Sequence, residues 1–257
     1  VDLQTGAREV VSDRQRTELG PHWSEFPADL AVDVKHGFAY VLDHNQDAIY
    51  SVNLLDGTRS IISSRTKPNS DNEFLSPFGI ALDIDNSQLY VSDASLRALL
   101  TVDIATGQRT IVSDDSIGLG PSFNFAITDI AYDKENKVVL VNDINADRVI
   151  SVDLTTGDRS ALTQPVFRDH RAITIDSENK RAFVADRVNL DVKQVDLNTG
   201  VVTTITNNSM HNGRNSLKNP AGIVFDAIND RILVADADLE AIIAVDPVTG
   251  DRVIFSR

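Results

Sequence analysis

The sequence predicts an all-β protein of repeated four-stranded blades, a β-propeller. Three features predict it: an internal repeat of roughly 40–50 residues, four short β-like runs in each repeat, and no sustained apolar 3.6-residue period. The repeat shows first in the phrase Val-Asp-Leu-x-Thr-Gly-x-Arg. It reads VDLQTGAR from Val1, VNLLDGTR from Val52, VDIATGQR from Val102, VDLTTGDR from Val152, VDLNTGVV from Val195 and VDPVTGDR from Val245. Its second residue recurs at steps of 51, 50, 50, 43 and 50.

The elements follow in order within each repeat. Strand A reads DLAVD from Asp29, GIALD from Gly79, DIAYD from Asp129, AITID from Ala172 and GIVFD from Gly222. Strand B reads FAYVLD, QLYVSD, KVVLVND, RAFVAD and RILVAD. Strand C precedes the Thr-Gly or Asp-Gly turn, and strand D follows it. These runs are rich in Val, Ile, Leu and Tyr and bounded by turn residues. A–B links such as DIDNSQ and DKENK are short and polar, as turns require. The glycine of each C–D link supplies a positive φ for a bulged hairpin. D–A links are long, as in DRQRTELGPHWSEF and SRTKPNSDNEFLS, except around Gln164–Asp169, which accounts for the 43-residue step.

Five complete repeats are expected at 27–75, 76–125, 126–167, 168–217 and 218–257, with A strands beginning near Pro27, Pro77, Ile127, His170 and Pro220. Residues 1–26 supply a partial blade with C and D strands only. The expected architecture is one propeller domain over 1–257, six-bladed with an incomplete first blade; five blades with an appended hairpin is the alternative. An opening at Val in mid-repeat fits a trimmed chain, and with the cysteine-free acidic composition it favours an extracytoplasmic location.

The strings PFGIALD and PAGIVFD, followed by YVSD or LVAD and then VDxxTG, resemble NHL-type repeats and the related six-bladed propellers of the SMP-30/gluconolactonase-like superfamily. The resemblance covers essentially the whole chain. It implies a second activity beside binding, because lactone hydrolases of that superfamily hold a divalent cation in the channel through Glu, Asn and Asp ligands. No Glu opens any A strand here.

Composition narrows the function. With 24 Lys+Arg against 38 Asp+Glu, the formal charge is −14, which disfavours nucleic acid and anionic membrane surfaces as partners. Membrane insertion is not expected, since no apolar run is long enough to span a bilayer. Zero cysteines exclude disulfides, zinc–thiolate sites and cysteine nucleophiles. A small molecule, a glycan or a protein remains as partner.

Within a blade, D–A and B–C links emerge at one end and A–B and C–D links at the other. The first end carries the long loops, the only Trp (Trp23), the only Met (Met210), and four of the five histidines, His22, His44, His170 and His211. Versatile side chains on long loops over a rigid scaffold predict a binding face. Trp23, Phe78, His44, His211 and Arg171 are its candidate ligand contacts, with Phe26, Phe74, Phe123 and Phe125 as further aromatic anchors.

The Asp residues ending the B strands (Asp43, Asp93, Asp143, Asp186, Asp236) read as turn makers. Asp103 with Arg109, and Asp153 with Arg159, read as exposed hairpin pairs worth about 0–1 kcal/mol. Departures from the repeat carry more information. Asp29 and Asp129 replace the glycine that opens the A strand at Gly79 and Gly222, and Asp169-His170-Arg171 replaces Ser-Pro-Phe. Asp29 and Asp129, with Asn142 and Ser92 near them, make a candidate site for Ca²⁺ or another divalent cation. His170 and Arg171 would orient a carboxylate or carbonyl group.

Two functions compete. One is a noncatalytic binding propeller using the long-loop end. The other is a cation-dependent hydrolase of lactones or esters, with Asp29, Asp129, His170 and Arg171 as catalytic residues. A lyase with a histidine base is a third possibility, with no motif of its own.

Overall fold

A computed structural model describes residues 1–2, 4–24, 26–210 and 215–257. Twenty strands form five antiparallel sheets of four. Blade one is β1 (Pro27–Asp33), β2 (Phe38–Asp43), β3 (Ala48–Asn53) and β4 (Arg59–Ser64). Blade two is β5 (Pro77–Asp83), β6 (Gln88–Asp93), β7 (Ala98–Asp103) and β8 (Arg109–Ser113). Blade three is β9 (Ile127–Asp133), β10 (Val138–Asp143), β11 (Arg148–Asp153) and the short β12 (Arg159–Ala161). Blade four is β13 (His170–Asp176), β14 (Arg181–Asp186), β15 (Asp191–Asp196) and β16 (Val202–Asn207). Blade five is β17 (Pro220–Asp226), β18 (Arg231–Asp236), β19 (Ala241–Val245) and β20 (Arg252–Ser256). The only helical turns among the described residues are 3-10, at Thr17–Leu19 and Ile144–Ala146. No helix there is long and apolar enough to cross a membrane.

Sequence pattern explains the order within a sheet. The second strand is flanked on both edges and packed on both faces, so it reads as an unbroken apolar run. β2, β6, β10 and β14 are buried at every position after the first. Turn chemistry is equally regular. Gly57, Gly107, Gly157, Gly200 and Gly250 all have φ between 70° and 78°. At Gly107 a second constraint applies, because a β-carbon would collide with the carbonyl of Ile62 in the preceding blade.

The chain divides into two compact units. One comprises Val10–Val141 and Ser151–Ser160, and holds blades one and two with most of blade three. Its core is an apolar layer of Leu42, Ile49, Phe74, Ile80, Leu89, Val91 and Leu100. The other comprises Val1–Glu9, Asn142–Ile150 and Ala161–Arg257. Its core joins blades four and five through Phe183, Val192, Leu217, Ile232, Val234 and Ile243.

The expectation of a sixth, partial blade is corrected to the five-bladed alternative, since five four-stranded blades are present and the described part of residues 1–26 contains no strand. The first repeat phrase does make its turn. Asp2 Oδ1 accepts from the main-chain N–H groups of Gln4 and Thr5 at 2.9 and 2.7 Å. Without A and B strands beside it, however, an outer hairpin has no ladder to extend. The segment is held instead by single contacts of a repeating kind. Ser63 Oγ donates to Gly107 O at 2.9 Å and Ser113 Oγ to Gly157 O at 2.6 Å. In the same way Ser12 donates to Gly57 O at 2.8 Å in one unit, and Ser256 to Gly6 O at 2.6 Å in the other.

Candidate functional site

The long D–A loops are held by two devices that recur from blade to blade. The first is an arginine at the start of the last strand. Arg109 is buried and donates to the carbonyls of Ser64, Lys67, Asn69, Asp71 and Asn72 and to Ser63 Oγ, at 2.5–3.2 Å. Its guanidinium lies 5.3 Å from the Phe74 ring centroid. Arg159 repeats this over Phe123 at 5.4 Å, bonding Ser113 Oγ and the carbonyls of Asp114, Ile117 and Pro121. Arg59 repeats it over Trp23 at 4.9 Å, bonding Ser12 Oγ and the carbonyls of Asp13, Arg16 and Pro21. The expected exposed hairpin pairs are therefore replaced by buried arginines that shape the preceding D–A loop.

The second device is the B-strand Asp. Asp93 accepts from the N–H groups of Leu75, Ser76 and Leu96. Asp236 accepts from those of Lys218, Asn219 and Leu239. Asp186 accepts from Arg168, Asp169, Val188 and Asn189. Each buried carboxylate thus ties the D–A loop to the B–C turn, which is more than the turn-making role read from sequence.

Against this frame the candidate residues fall into different environments. Trp23 occupies the position of Phe74 and Phe123, under Arg59 and edge-on to Tyr50 at 6.1 Å. Phe74 and Phe123 are fully buried, while Phe26 and Phe125 are 63% and 70% exposed. Phe78 stacks on His44 at 4.2 Å, and His44 Nδ1 lies 3.2 Å from Pro77 O. This half-buried pair sits at the long-loop end of the first two blades. His211 lies outside the described residues.

Asp29 and Asp129, a hundred residues apart in sequence, share a side-chain hydrogen bond. A hydrogen bond between two carboxyl groups needs one of them protonated, a state that the raised pKa of Asp29 extends to about 6. Burial pushes Asp29 up to about 6, against the opposing pull of hydrogen bonds from the N–H groups of Ile80 and Leu30 and of the bond with Asp129. Asp129 in turn accepts from Ile130 N–H at 2.7 Å. The glycine in the strand between them has a separate cause. A β-carbon on Gly79 would lie 2.6 Å from Thr128 O, where Ser92 Oγ bridges Gly79 N–H and that carbonyl. Oxygen donors suit a hard cation, although Asp29 already directs both oxygens at main-chain N–H groups. Among the described residues no third His, Cys, Asp or Glu joins the pair.

In the other unit, Asn142 is buried and its side chain makes no hydrogen bond among the described residues. His170 is fully buried, stacked on Phe167 at 4.6 Å, with Nε2 2.9 Å from Arg148 O. Burial lowers its pKa, so the ring is neutral near pH 7. Next to it, Asp169 is gripped by two arginines. Arg171 Nε donates to Oδ1 at 2.8 Å; Arg187 donates to Oδ2 through Nε at 2.7 Å and Nη2 at 2.6 Å. The carboxylate is 11% exposed, whereas the guanidinium side chains are 43% and 40% exposed. Sequence reading picked out Arg171 and missed Arg187, which no repeat or motif marks.

No protein-family description and no curated protein sequence matches the chain. Solved structures match its fold. A chain of a nidogen/laminin complex aligns with a TM-score of 0.72 at 17% identity, over 88% of this chain and 78% of that one. A structural-genomics protein of unknown function from Bacteroides thetaiotaomicron VPI-5482 aligns at 0.69 and 15% identity, over 87% of this chain and 59% of that one. Virginiamycin B lyase from Staphylococcus aureus aligns at 0.62 and 14% identity, over 90% and 69%. These likenesses define the class, a β-propeller repeat protein, and define the fold alone.

Proposed function

We propose that this chain is a noncatalytic binding propeller whose long-loop end captures a ligand presenting a carboxylate, as an acidic sugar or an acidic side chain does. The observation that carries this reading is the pair Arg171 and Arg187 on one buried carboxylate. Asp169 fixes both guanidiniums, yet each has five N–H donors and spends only one or two on it. The two side chains are 43% and 40% exposed, on a chain that is otherwise strongly acidic. Pre-positioned arginines are suited to two-pronged carboxylate recognition. Calorimetric titration with glucuronate tests this. Saturable binding that weakens with added salt, and is lost in the R171A/R187A double variant while the circular dichroism spectrum is kept, supports the reading. Absence of saturable binding to glucuronate, succinate and an acidic peptide alike overturns it.

The Asp29–Asp129 pair favours a second reading, the divalent-cation-dependent hydrolase. A cation in place of the proton of that pair would polarise a lactone or ester carbonyl. Ca²⁺ at millimolar concentration should then raise the melting temperature of the native chain and not of D29N/D129N. No shift, together with no hydrolysis across a lactone panel, removes this reading.

A further inference from the structure

The opposite end of the blades carries its own departure. Four of the five A–B turns are closed by an Asp-x-x-Asn clamp: Asn86 Nδ2 donates to Asp83 Oδ2 at 2.8 Å, Asn136 to Asp133 at 2.7 Å, Asn179 to Asp176 at 2.9 Å and Asn229 to Asp226 at 2.7 Å. Blade one has His36 instead, with Nδ1 2.7 Å from Asp33 Oδ2 and its main-chain N–H 2.9 Å from Oδ1. Asparagine closes the other four turns, so the fold does not require an imidazole. Nδ1 makes the bond that Nδ2 makes elsewhere; what histidine adds is a second nitrogen.

The chemistry of that nitrogen is fixed from below. Asp33 is buried. Burial alone would raise its pKa, but hydrogen bonds from the His36 side chain and main chain hold it below the usual carboxylate value, so it is ionised. An ionised carboxylate only accepts, which puts the hydrogen of a neutral ring on Nδ1 and leaves Nε2 as an acceptor. The His36 side chain is 52% exposed and lines a cavity of about 360 Å³ between blades one and two, walled by Phe38, Tyr40, Leu82, Ile84 and Ile104. The corresponding cleft between blades two and three has the same volume, but Asp85, Tyr132, Lys134 and Lys137 line it. One scaffold position has thus acquired a mostly apolar wall, with Ser87 and the Tyr40 hydroxyl at its polar edge and the oriented acceptor of His36, the composition of a small-molecule site.

We infer that the cleft between blades one and two binds a small aromatic alcohol of the phenol type, its ring against Phe38, Leu82, Ile84 and Ile104 and its hydroxyl donating to His36 Nε2. The probe pair 2-naphthol and 2-methoxynaphthalene tests this, since the ether keeps the ring and loses the donor. Naphthol fluorescence titrations should give saturable binding to the native chain, with a shift of the His36 imidazole ¹⁵N signals. Affinity should fall about tenfold for the ether, and about tenfold for naphthol with H36N, as loss of one hydrogen bond implies. H36N installs the residue the other four turns carry, so its fold is retained. I84W, a substitution at a half-buried turn residue, fills the cleft and should abolish binding of both probes. Equal affinity for the two probes, unchanged naphthol affinity in H36N, or no saturable binding overturns the inference.

Discussion

The first and last strands of the blades follow opposite rules. At the start of the last strand, Arg59, Arg109 and Arg159 are interchangeable in environment, each buried over an aromatic ring and each bonding the carbonyls of the loop before it. At the start of the first strand, no such uniformity exists. Asp29 and Asp129 pair side chain to side chain, Gly79 has room for no side chain, and His170-Arg171 sits beside an Asp169 clasped by two arginines. Repetition marks what each blade needs in order to fold. Divergence at matching positions marks what the fold leaves open, and the candidate binding groups lie there.

The comparison breaks most decisively through the repeated edge. Arg109→Ala removes donors from five part-buried loop carbonyls at once, and each hydrogen bond lost costs about 1 kcal/mol where water can replace the donor. Phe74→Ala beneath it should cost about 3–5 kcal/mol. Either change should lower the melting temperature by on the order of 10 °C. Trp23→Ala is the sharper test, because Trp23 read from sequence as a ligand anchor. Its place under Arg59 predicts a loss of stability of about 3 kcal/mol, with ligand affinity of the surviving folded protein unchanged. A calorimetric scan showing native stability for Trp23→Ala would put the ring back among the binding residues.

How much of this was legible follows the same division. The strand starts and the positive-φ glycines of the C–D turns could be read from the sequence because each obeys a local rule. The blade number was left between six and five, because residues 1–26 carry the turn phrase VDLQTGAR, while their described part contains no strand that would turn a hairpin into a blade. The arginine hubs escaped notice because Arg109 reaches back 37–46 residues to bond its loop, and no periodicity announces where a long side chain will fold. Convergence of Asp29 with Asp129 was visible as a shared departure from glycine. Arg187 was invisible, since it stands in a B–C turn where the repeat imposes no residue.

The divergent edge should respond differently. The double substitution R171A/R187A removes two half-exposed side chains, so its melting temperature should fall by only a few degrees, much of it from stranding the mostly buried Asp169. Binding of a carboxylate ligand should fall at least tenfold, on the order of one charge-assisted hydrogen bond or more. A collapse of stability as large as that of Arg109→Ala would make the arginine pair one more structural staple and erase the distinction.

The smallest effect is one of sign. Asp29 keeps its proton up to about 6 in the fold, against an ordinary value of 3.8 in the unfolded chain. Between those values the folded chain binds more protons than the unfolded one, so this group's contribution to stability falls as pH rises from about 4 to about 6, and stays low above that. His170 works the other way in its own unit: burial lowers its pKa, so its contribution is lost as pH drops below its ordinary 6.5. Asp29→Asn deletes the first titration and leaves the second in both proteins, so the difference between native and variant melting temperatures isolates the carboxyl pair. That difference should move in favour of the variant by a few degrees between about pH 4.5 and about pH 7.5. Movement in the opposite direction would mean that Asp29 is held ionised by charge at the strand start, and the protonated pair would have to be abandoned.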